Sequence, residues 1–397
     1  MNCPTSSYGG TIVKILVLEP YYGGSHRTFL DGLQAHIPFE FTLLTLPARN
    51  WKWRMRLAAP FFADKIPPLC REKKIDLIFC SSFVDVATLH SLLPAAVRQL
   101  PLYTYFHENQ FAYPVRKEDE RDFHFGLTNL TSILASDQVA FSTGYNMQTF
   151  LEGVEQIQRI CPDMKFRGLP EKIAAKAMVL NPGIDFSAMD RTAAVNKQNT
   201  GVPVIVWNHR WEHDKNPQEF FQTLLTLDAD GLDFKAIILG QAFRKVPAIF
   251  SEAQERLQHR IIHYGFVESR DDYARLLRAG DIVVSTARHE FYGMSVIEAV
   301  RAGCCPVLPA RLSYPELFPA EYLYEDGCLG DRLRSRLENR HRLDMSRAEN
   351  LTAPFSWPRL RTKYMDWFEG RGLVATKKEV PGQHSGSPLN QGYGGTG

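Results

Sequence analysis

No apolar run in the 397-residue sequence is longer than a strand. The longest, such as KILVL and KAIILG, fall far short of the roughly 20 residues a membrane span needs. Residues 1–11, MNCPTSSYGGT, lack the apolar core of a secretory signal. Charge of one sign is missing too. The 46 Lys and Arg nearly balance the 44 Asp and Glu, leaving a net charge of +2, so any basic surface for a polyanionic partner must be local. Cysteine is sparse: seven residues are scattered without a C-x-x-C spacing, which fits thiols in a reducing compartment and neither a disulfide framework nor a zinc site. These absences exclude membrane-spanning and disulfide-scaffold classes. They predict a cytoplasmic protein of ordinary globular composition, too long for a single core of usual size.

What the sequence does have is alternation. Short apolar runs alternate with helical patterns, as in parallel sheets wound with helices. VKILVL leads into SHRTFLDGLQAH and IDLIFC into VATLHSLL; LYTYF runs into a polar loop, QVAFS precedes YNMQTFLEGV, and KAMVL closes the series. A polar, turn-rich segment, NPGIDFSAMDRTAAVNKQNTG, follows, and the pattern restarts at VPVIVWN. The expected fold is α/β, with two doubly wound Rossmann-like domains facing each other across a cleft. The first spans 12–182, a linker 183–200, and the second 201–355. A helix at 356–369 returns to the first domain, and 370–397 has the composition of a disordered tail.

Ligands of such sheets bind beyond the carboxyl ends of the strands. There the second domain places WNHRWEHDKNP, with Arg210 and Lys215 ahead of a helix starting at Pro217. It also places STARHEFYGMSVIEAV, where a helix begins near Gly293. Amides from Tyr292, Gly293, Met294 and Ser295 at that start, together with two cations, make a diphosphate site that also stabilises charge developing on a leaving phosphate. Glu298, one turn into the helix, suits a ribose diol; Glu290, in the preceding loop, suits sugar hydroxyls or a developing anomeric cation. A helix cap or a solvated acid explains either glutamate alone. Alongside Arg210, Lys215 and Gly293, the pair reads as the two ends of a sugar nucleotide.

The first domain offers Gly23 and Gly24 after its first strand, without a G-x-G-x-x-G fingerprint; an ordinary tight turn accounts for them equally well. His107, beside Glu108 and Asn109, follows the LYTYF strand, while His26 falls in the first turn of its helix and carries less weight. LPARNWKWRMR interleaves Arg49, Lys52, Arg54 and Arg56 with Trp51 and Trp53. Cations with stacking rings suit nucleic acid; tryptophans anchoring a loop in the core, with solvated cations, fit its composition slightly better. Asp228 and Asp230 have D-x-D spacing but lie at the wrong end of the sheet and read as a turn. RKEDERD (116–122) reads as a solvated loop. The site needs no metal if cations and amides neutralise the phosphates.

Glu290 and Glu298 in E-x7-E spacing, Arg210 and Lys215, NPGID, and FSWPRL resemble the retaining GT-B glycosyltransferases of family 4. A narrower resemblance is to the tRNA-queuosine α-mannosyltransferase family, through YYGGSH, TLPARNWKWRMR, YFHENQ, ERDFHFG, HRWEHDKNP, HEFYG and FPAEYLY. It runs from Val13 to Phe368 and is weaker between Tyr324 and Asn350. The resemblance implies a GT-B fold, GDP-mannose as donor, no further cofactor, and retention at the anomeric carbon. Its acceptor would be a cyclopentenediol hydroxyl of queuosine, at the wobble position of an aspartate tRNA. It also implies that Arg210 and Lys215 hold the diphosphate, Glu298 the ribose and Glu290 the mannose, that Gly23 and Gly24 lie against a phosphate or the acceptor, and that His107 faces the sugar. The 49–56 stretch then becomes a grip on an anticodon arm. The alternative on the same fold is a transferase acting on a lipid, glycan or small metabolite.

Overall fold

A computed structural model describes residues 12–113, 123–192, 201–242, 246–339 and 343–371. The charged loop expected at 116–122 and nearly all of the expected tail lie outside them.

Two six-stranded, all-parallel sheets organise the chain. The first contains β1 (Lys14–Tyr22), β2 (Glu40–Pro47), β3 (Leu77–Ser81), β4 (Leu102–Phe106), β5 (Gln138–Phe141) and β6 (Ala177–Val179) in the order β2-β1-β3-β4-β5-β6. The second contains β7 (Val204–Asn208), β8 (Lys235–Leu239), β9 (Ile261–Gly265), β10 (Ile282–Val284), β11 (Cys305–Pro309) and β12 (Leu323–Tyr324) in the order β12-β11-β10-β7-β8-β9. Strand order reverses between β1 and β3 in one lobe and between β7 and β10 in the other. Those switch points open crevices at the carboxyl ends of the strands, where ligands bind.

The segment expected as a bare linker is partly structured. It carries a helix, Ser187–Arg191, and buries Ile184, Phe186 and Met189 in the core of the second lobe with Val206 and Val296. Its apolar residues are too few to show a period, so its polar neighbours hide them.

The final helix, Trp357–Phe368, returns to the first lobe. Trp357, Leu360, Tyr364, Trp367 and Phe368 pack against Phe29, Phe79 and Tyr105, and the Tyr364 hydroxyl donates to Asn181 O at 2.9 Å. Trp357 is pinned between two glycines: a side-chain carbon at Gly32 or at Gly183 would lie 2.2 Å from its indole. Three separate segments thus close on one ring. The lobes also touch directly. Thr143 Oγ1 donates to Phe291 O (2.8 Å), Tyr292 donates its hydroxyl to Pro182 O (2.8 Å), and Glu316 accepts the Gly144 and Tyr145 amides (2.9 and 3.0 Å). The last contact caps the Gly144–Ile160 helix from the opposite lobe.

The stretch after β2 is a correction. It is no loop but a helix, Trp51–Glu72, despite Pro60, Pro67 and Pro68 inside it. Met55, Ala58, Ala59, Phe62 and Ile66 are its buried face, and all but Met55 pack on Leu16, Leu18, Ile78 and Cys80. Burial of that face outweighs the ladder hydrogen bonds lost at the prolines.

Gly183→Ala should lower the thermal midpoint, because overpacking costs about 1–3 kcal/mol. Combining it with Trp357→Phe should give a non-additive loss in a double-mutant cycle measured by denaturant melts.

Candidate active site in the interlobe crevice

The second lobe builds its half of the site from the turn after β7 and the loop after β10. The chain leaves β7 at Asn208, passes through a 3-10 turn, His213–Lys215, and enters the Pro217–Ala229 helix. Lys215 is buried. Its ammonium donates to His289 O at 2.7 Å and pairs with Asp214 at 3.1 Å and Glu290 at 3.3 Å. Thr286 Oγ1 donates to Lys215 O (2.9 Å) and the Arg288 amide to Asp214 O (2.8 Å), stitching the two loops together.

Burial alone would raise the Glu290 carboxyl. The Lys215 charge, with smaller help from His209, the Tyr292 amide and His289, pulls it down instead to about 2. His209 and His289 are both pushed down to about 4, first by burial and then by Lys215, so both rings are neutral near pH 7. The Nε2 atoms of both rings are buried and unpartnered.

The Met294–Arg301 helix starts where the sequence puts it. Gly293 caps it at φ 84°, and a side chain there would come within 3.2 Å of Tyr314. The Gly293, Met294 and Ser295 amides make no hydrogen bond among the described residues, whereas the Tyr292 amide is spent on Glu290 at 3.3 Å. Three donors, not four, are therefore open to an anion. Arg210 is half exposed, at 50%, and paired with Glu212 at 3.2 Å. It lies near enough to Glu108, Tyr21 and Tyr113 of the first lobe to bear on their proton affinities, and Tyr113 stacks edge-on against His289 at 4.9 Å. Arg210, Lys215, Glu290 and the three amides thus share one crevice.

Glu298 is more constrained than its sequence position suggests. Its carboxylate is buried and bonded by Arg270 and by the Tyr273 hydroxyl (2.8 Å), and Tyr273 in turn accepts from Asn208 Nδ2 at 2.6 Å. A ribose at Glu298 would share that carboxylate with two protein donors.

In the first lobe, Gly23 lets the turn after β1 pack on β2: a side-chain carbon there would sit 2.5 Å from that of Ala48. Gly24, at φ 52°, has open space on that side. His107 is stacked on His26 with ring centroids 4.1 Å apart, and burial followed by the His26 charge holds it well below the usual histidine range. Asn109 is structural, bonding Asn146 and Thr149 and accepting the Phe111 and Ala112 amides. Glu19, directly after the VKILVL run and without a motif to mark it, is buried and bonded to His26. Glu19, His26 and His107 also form a group whose ligand atoms lie within 4.8 Å of one another, the geometry a metal ion could use, but Glu19 and His26 already bond each other.

The basic, aromatic stretch divides. Trp51 is anchored against Phe83, Tyr113 and Phe125. Trp53 is 68% exposed and continues along the helix with exposed Leu57 and Phe61. Lys52 and Arg56 are exposed beside that stripe, Arg56 lying over the Phe125 ring and bonded to His124 at 2.6 Å, while Arg54 reaches back to Pro47 O. Arg49 is exposed just ahead of the helix. Asp228 is tied to Arg260 and Asp230 to Arg334, far from the crevice.

With that geometry in place, comparison with known proteins is informative. The profile of a family described as tRNA-queuosine alpha-mannosyltransferase N-terminal matches residues 14–184, and that of glycosyl transferases group 1 matches 189–332. A tRNA-queuosine alpha-mannosyltransferase of Drosophila melanogaster is 38% identical over 319 residues, covering 78% of this chain and 83% of that protein. Anabaena HepE in complex with UDP superimposes with a TM-score of 0.63 at 14% identity, covering 91% of this chain and 100% of that one. Sucrose-phosphate synthase from Thermosynechococcus elongatus gives 0.62 at 13%, covering 91% and 99%. At such identities these two structures bear on the fold alone, which is GT-B, as the sequence led one to expect.

The Glu290 carboxyl falls from an ordinary 4.5 to about 2 on folding. Its contribution is therefore fully present above pH 4.5 and lost as the pH falls toward 2. Glu290→Gln should be less stable than the parent at pH 7, by on the order of 3 kcal/mol. That gap should narrow between pH 4.5 and 2 in denaturant titrations.

Proposed function

The chain belongs to the tRNA-queuosine alpha-mannosyltransferase family, and from that premise we propose that it transfers mannose from GDP-mannose to queuosine at the wobble position of aspartate tRNA, with retention at the anomeric carbon. The observation that carries the reading is the convergence of Arg210, Lys215, Glu290 and three unbonded amides at the β7/β10 switch point, facing the first lobe. In this reading the donor diphosphate lies on Arg210 and the Gly293–Ser295 amides. Glu290, kept ionised by Lys215, supports the mannose hydroxyls and the positive charge that grows at the anomeric carbon. His107, uncharged, faces the sugar. The bond from that carbon to the phosphate oxygen breaks while the acceptor oxygen bonds to it from the same face. The acceptor's proton passes to the departing phosphate oxygen, so no protein base is required. Cations and amides balance the diphosphate, and we assign the reaction no metal.

No helix among the described residues is long and apolar enough to cross a membrane. A tRNA acceptor places the reaction in the cytoplasm. Lys52, Arg56 and Trp53, with Arg49 ahead of them, face outward beside Trp51, whose ring meets Tyr113 at the crevice mouth. We assign this face of the Trp51–Glu72 helix to the anticodon arm, with cations on phosphates and Trp53 stacking on a base. Arg54, turned back to Pro47, supports the helix start.

The deciding experiment is nucleoside mass spectrometry of tRNA from cells with and without the gene. A hexose-sized mass should vanish from the queuosine nucleoside, and an unchanged spectrum would refute the acceptor. Arg210→Ala, half exposed with one partner, should stay folded and lose about 10²–10³ in kcat, the usual cost of one charge partner of the leaving group. Lys52→Ala with Arg56→Ala should weaken tRNA binding and flatten its salt dependence in gel shifts, each phosphate contact contributing about 0.9 to the log–log slope. Vesicle flotation that these substitutions abolish would instead mark the face as lipid-directed.

A further inference from the structure

A second cluster of titratable groups lies opposite the donor half of the crevice. Glu19, at the carboxyl end of β1, is 1% exposed. One carboxylate oxygen accepts the Tyr21 amide at 2.7 Å and the other accepts from His26 Nδ1 at 2.9 Å. A carboxylate on Nδ1 fixes the tautomer, so Nε2 is the nitrogen left to act elsewhere. The His26 ring lies against His107 at 4.1 Å and Phe83 at 5.3 Å, with Tyr21 edge-on at 6.0 Å. His26 sits in the first turn of the Gly24–His36 helix, whose cap offers no side-chain hydrogen bond and whose first turn has no acid. A cation there opposes the helix dipole, and burial opposes it further, yet the Glu19 charge and hydrogen bond raise the His26 pKa. Glu108, one residue beyond His107, has a single side-chain contact among the described residues, from Gln110 Nε2 at 3.4 Å. Its charged neighbours include His26, Arg210 and Lys215.

A buried carboxylate is costly, and a turn of this kind is stable without one. What the arrangement provides is a fixed donor, His26 Nε2–H, and, on the residue that follows the His107 ring it lies against, an acceptor with one long side-chain contact among the described residues, the Glu108 carboxylate. One donor next to one acceptor is the complement of two adjacent hydroxyls. We propose that Glu108 and His26 hold the acceptor's vicinal diol. Glu108 accepts from the neighbouring hydroxyl, and His26 donates to the reacting one, whose own proton is left to the departing phosphate oxygen. Glu19 acts as the positioning residue that fixes the tautomer and charge of His26. The proposal rests on the mannosyltransferase reading, since the diol is the cyclopentenediol of queuosine. It adds no covalent step: the reacting hydroxyl's proton still leaves with the phosphate oxygen.

The groups facing the His26 ring are Glu19 and Tyr21 from β1, His107 and Glu108 beyond β4, and Arg210 across the crevice. The test is steady-state kinetics on the full-length enzyme with queuosine-containing tRNA and GDP-mannose, across pH. Glu19→Gln keeps the side-chain shape and removes the charge. It should lower kcat/KM for tRNA about tenfold and move the alkaline limb of its pH profile down by about one unit, because His26 then loses its proton earlier. His26→Gln should abolish that limb. Glu108→Gln, which leaves the buried core untouched, should raise KM for tRNA at least tenfold, with the affinity for GDP by calorimetry within twofold of wild type. Any of three results overturns the proposal: wild-type kcat/KM in Glu19→Gln and Glu108→Gln, a loss with the pH profile unmoved, or one equivalent of zinc or manganese in the purified enzyme that His26→Gln loses. Failure of the wild-type enzyme to modify queuosine tRNA overturns the mannosyltransferase reading itself, and the diol assignment with it.

Discussion

The site depends on one buried ammonium. Lys215 is held between Asp214 and Glu290, with His289 O as a third acceptor. Taking three charges out of water is expensive, and such a group is seldom the cheapest way to stabilise a fold. What it secures is geometry. Lys215 comes from the turn after β7 and Glu290 from the loop after β10, so their contact fixes both walls of the switch-point crevice relative to each other. The same contact keeps Glu290 ionised, while burial, with the Lys215 charge added to it, keeps His209 and His289 neutral. In the proposed reaction, the carboxylate that faces growing positive charge is thereby preorganised rather than recruited during the reaction. Arg210, by contrast, is half exposed and has one ion-pair partner among the described residues, Glu212.

The two lobes are held by contacts of different kinds. The Trp357–Phe368 helix anchors the chain's return to the first lobe through a dense aromatic cluster. Among the described residues, the contacts between the lobes at the crevice are hydrogen bonds, Thr143 to Phe291, Tyr292 to Pro182 and Glu316 to the Gly144 helix, beside two ring contacts, Tyr113 with His289 and Tyr145 with Phe291. Apolar packing fixes which lobe the terminal helix belongs to. The polar contacts set how the lobes face each other, and hydrogen bonds at a wet cleft exchange with water at little net free energy. Such an arrangement suits a crevice that must admit a tRNA loop and still bring a diol up to a bound sugar nucleotide.

Much of this was legible in the sequence, for identifiable reasons. Ten of the strands, all but β2 and β12, with Pro217 at a helix start and Gly293 at another, are local signals: apolar runs, a residue that tolerates the first turn, and a residue that tolerates φ of 84°. The Trp51–Glu72 helix was illegible because its three prolines contradict local propensity, and tertiary burial of Ala58, Ala59, Phe62 and Ile66 overrules it. Partnership was equally hidden. Glu298 gives no sign in the sequence of Arg270 and Tyr273, 28 and 25 residues away. Glu19 reads as an ordinary strand residue until His26 is seen beside it. Spacing reveals where a side chain leaves the backbone; only packing reveals what meets it.

That distinction bears on how the labour of the reaction is divided. In the proposed reaction the second lobe supplies the groups that meet the sugar nucleotide, and Lys215, Glu290 and Arg210 have ion-pair partners in their own lobe. The first lobe carries Glu19, His26, His107 and Glu108, which come from β1, its following helix and the loop after β4 and depend on one another. Each half thus draws its hydrogen bonds and ion pairs mainly from its own lobe, and of the two cations that act on Glu108 across the crevice, Arg210 is the more exposed and Lys215 the more tightly held. Retaining transfer on one face of the sugar demands that the acceptor hydroxyl arrive beside the departing phosphate. Two half-sites built largely within their own lobes, with the half-exposed Arg210 guanidinium between them, meet that demand in the proposed reaction.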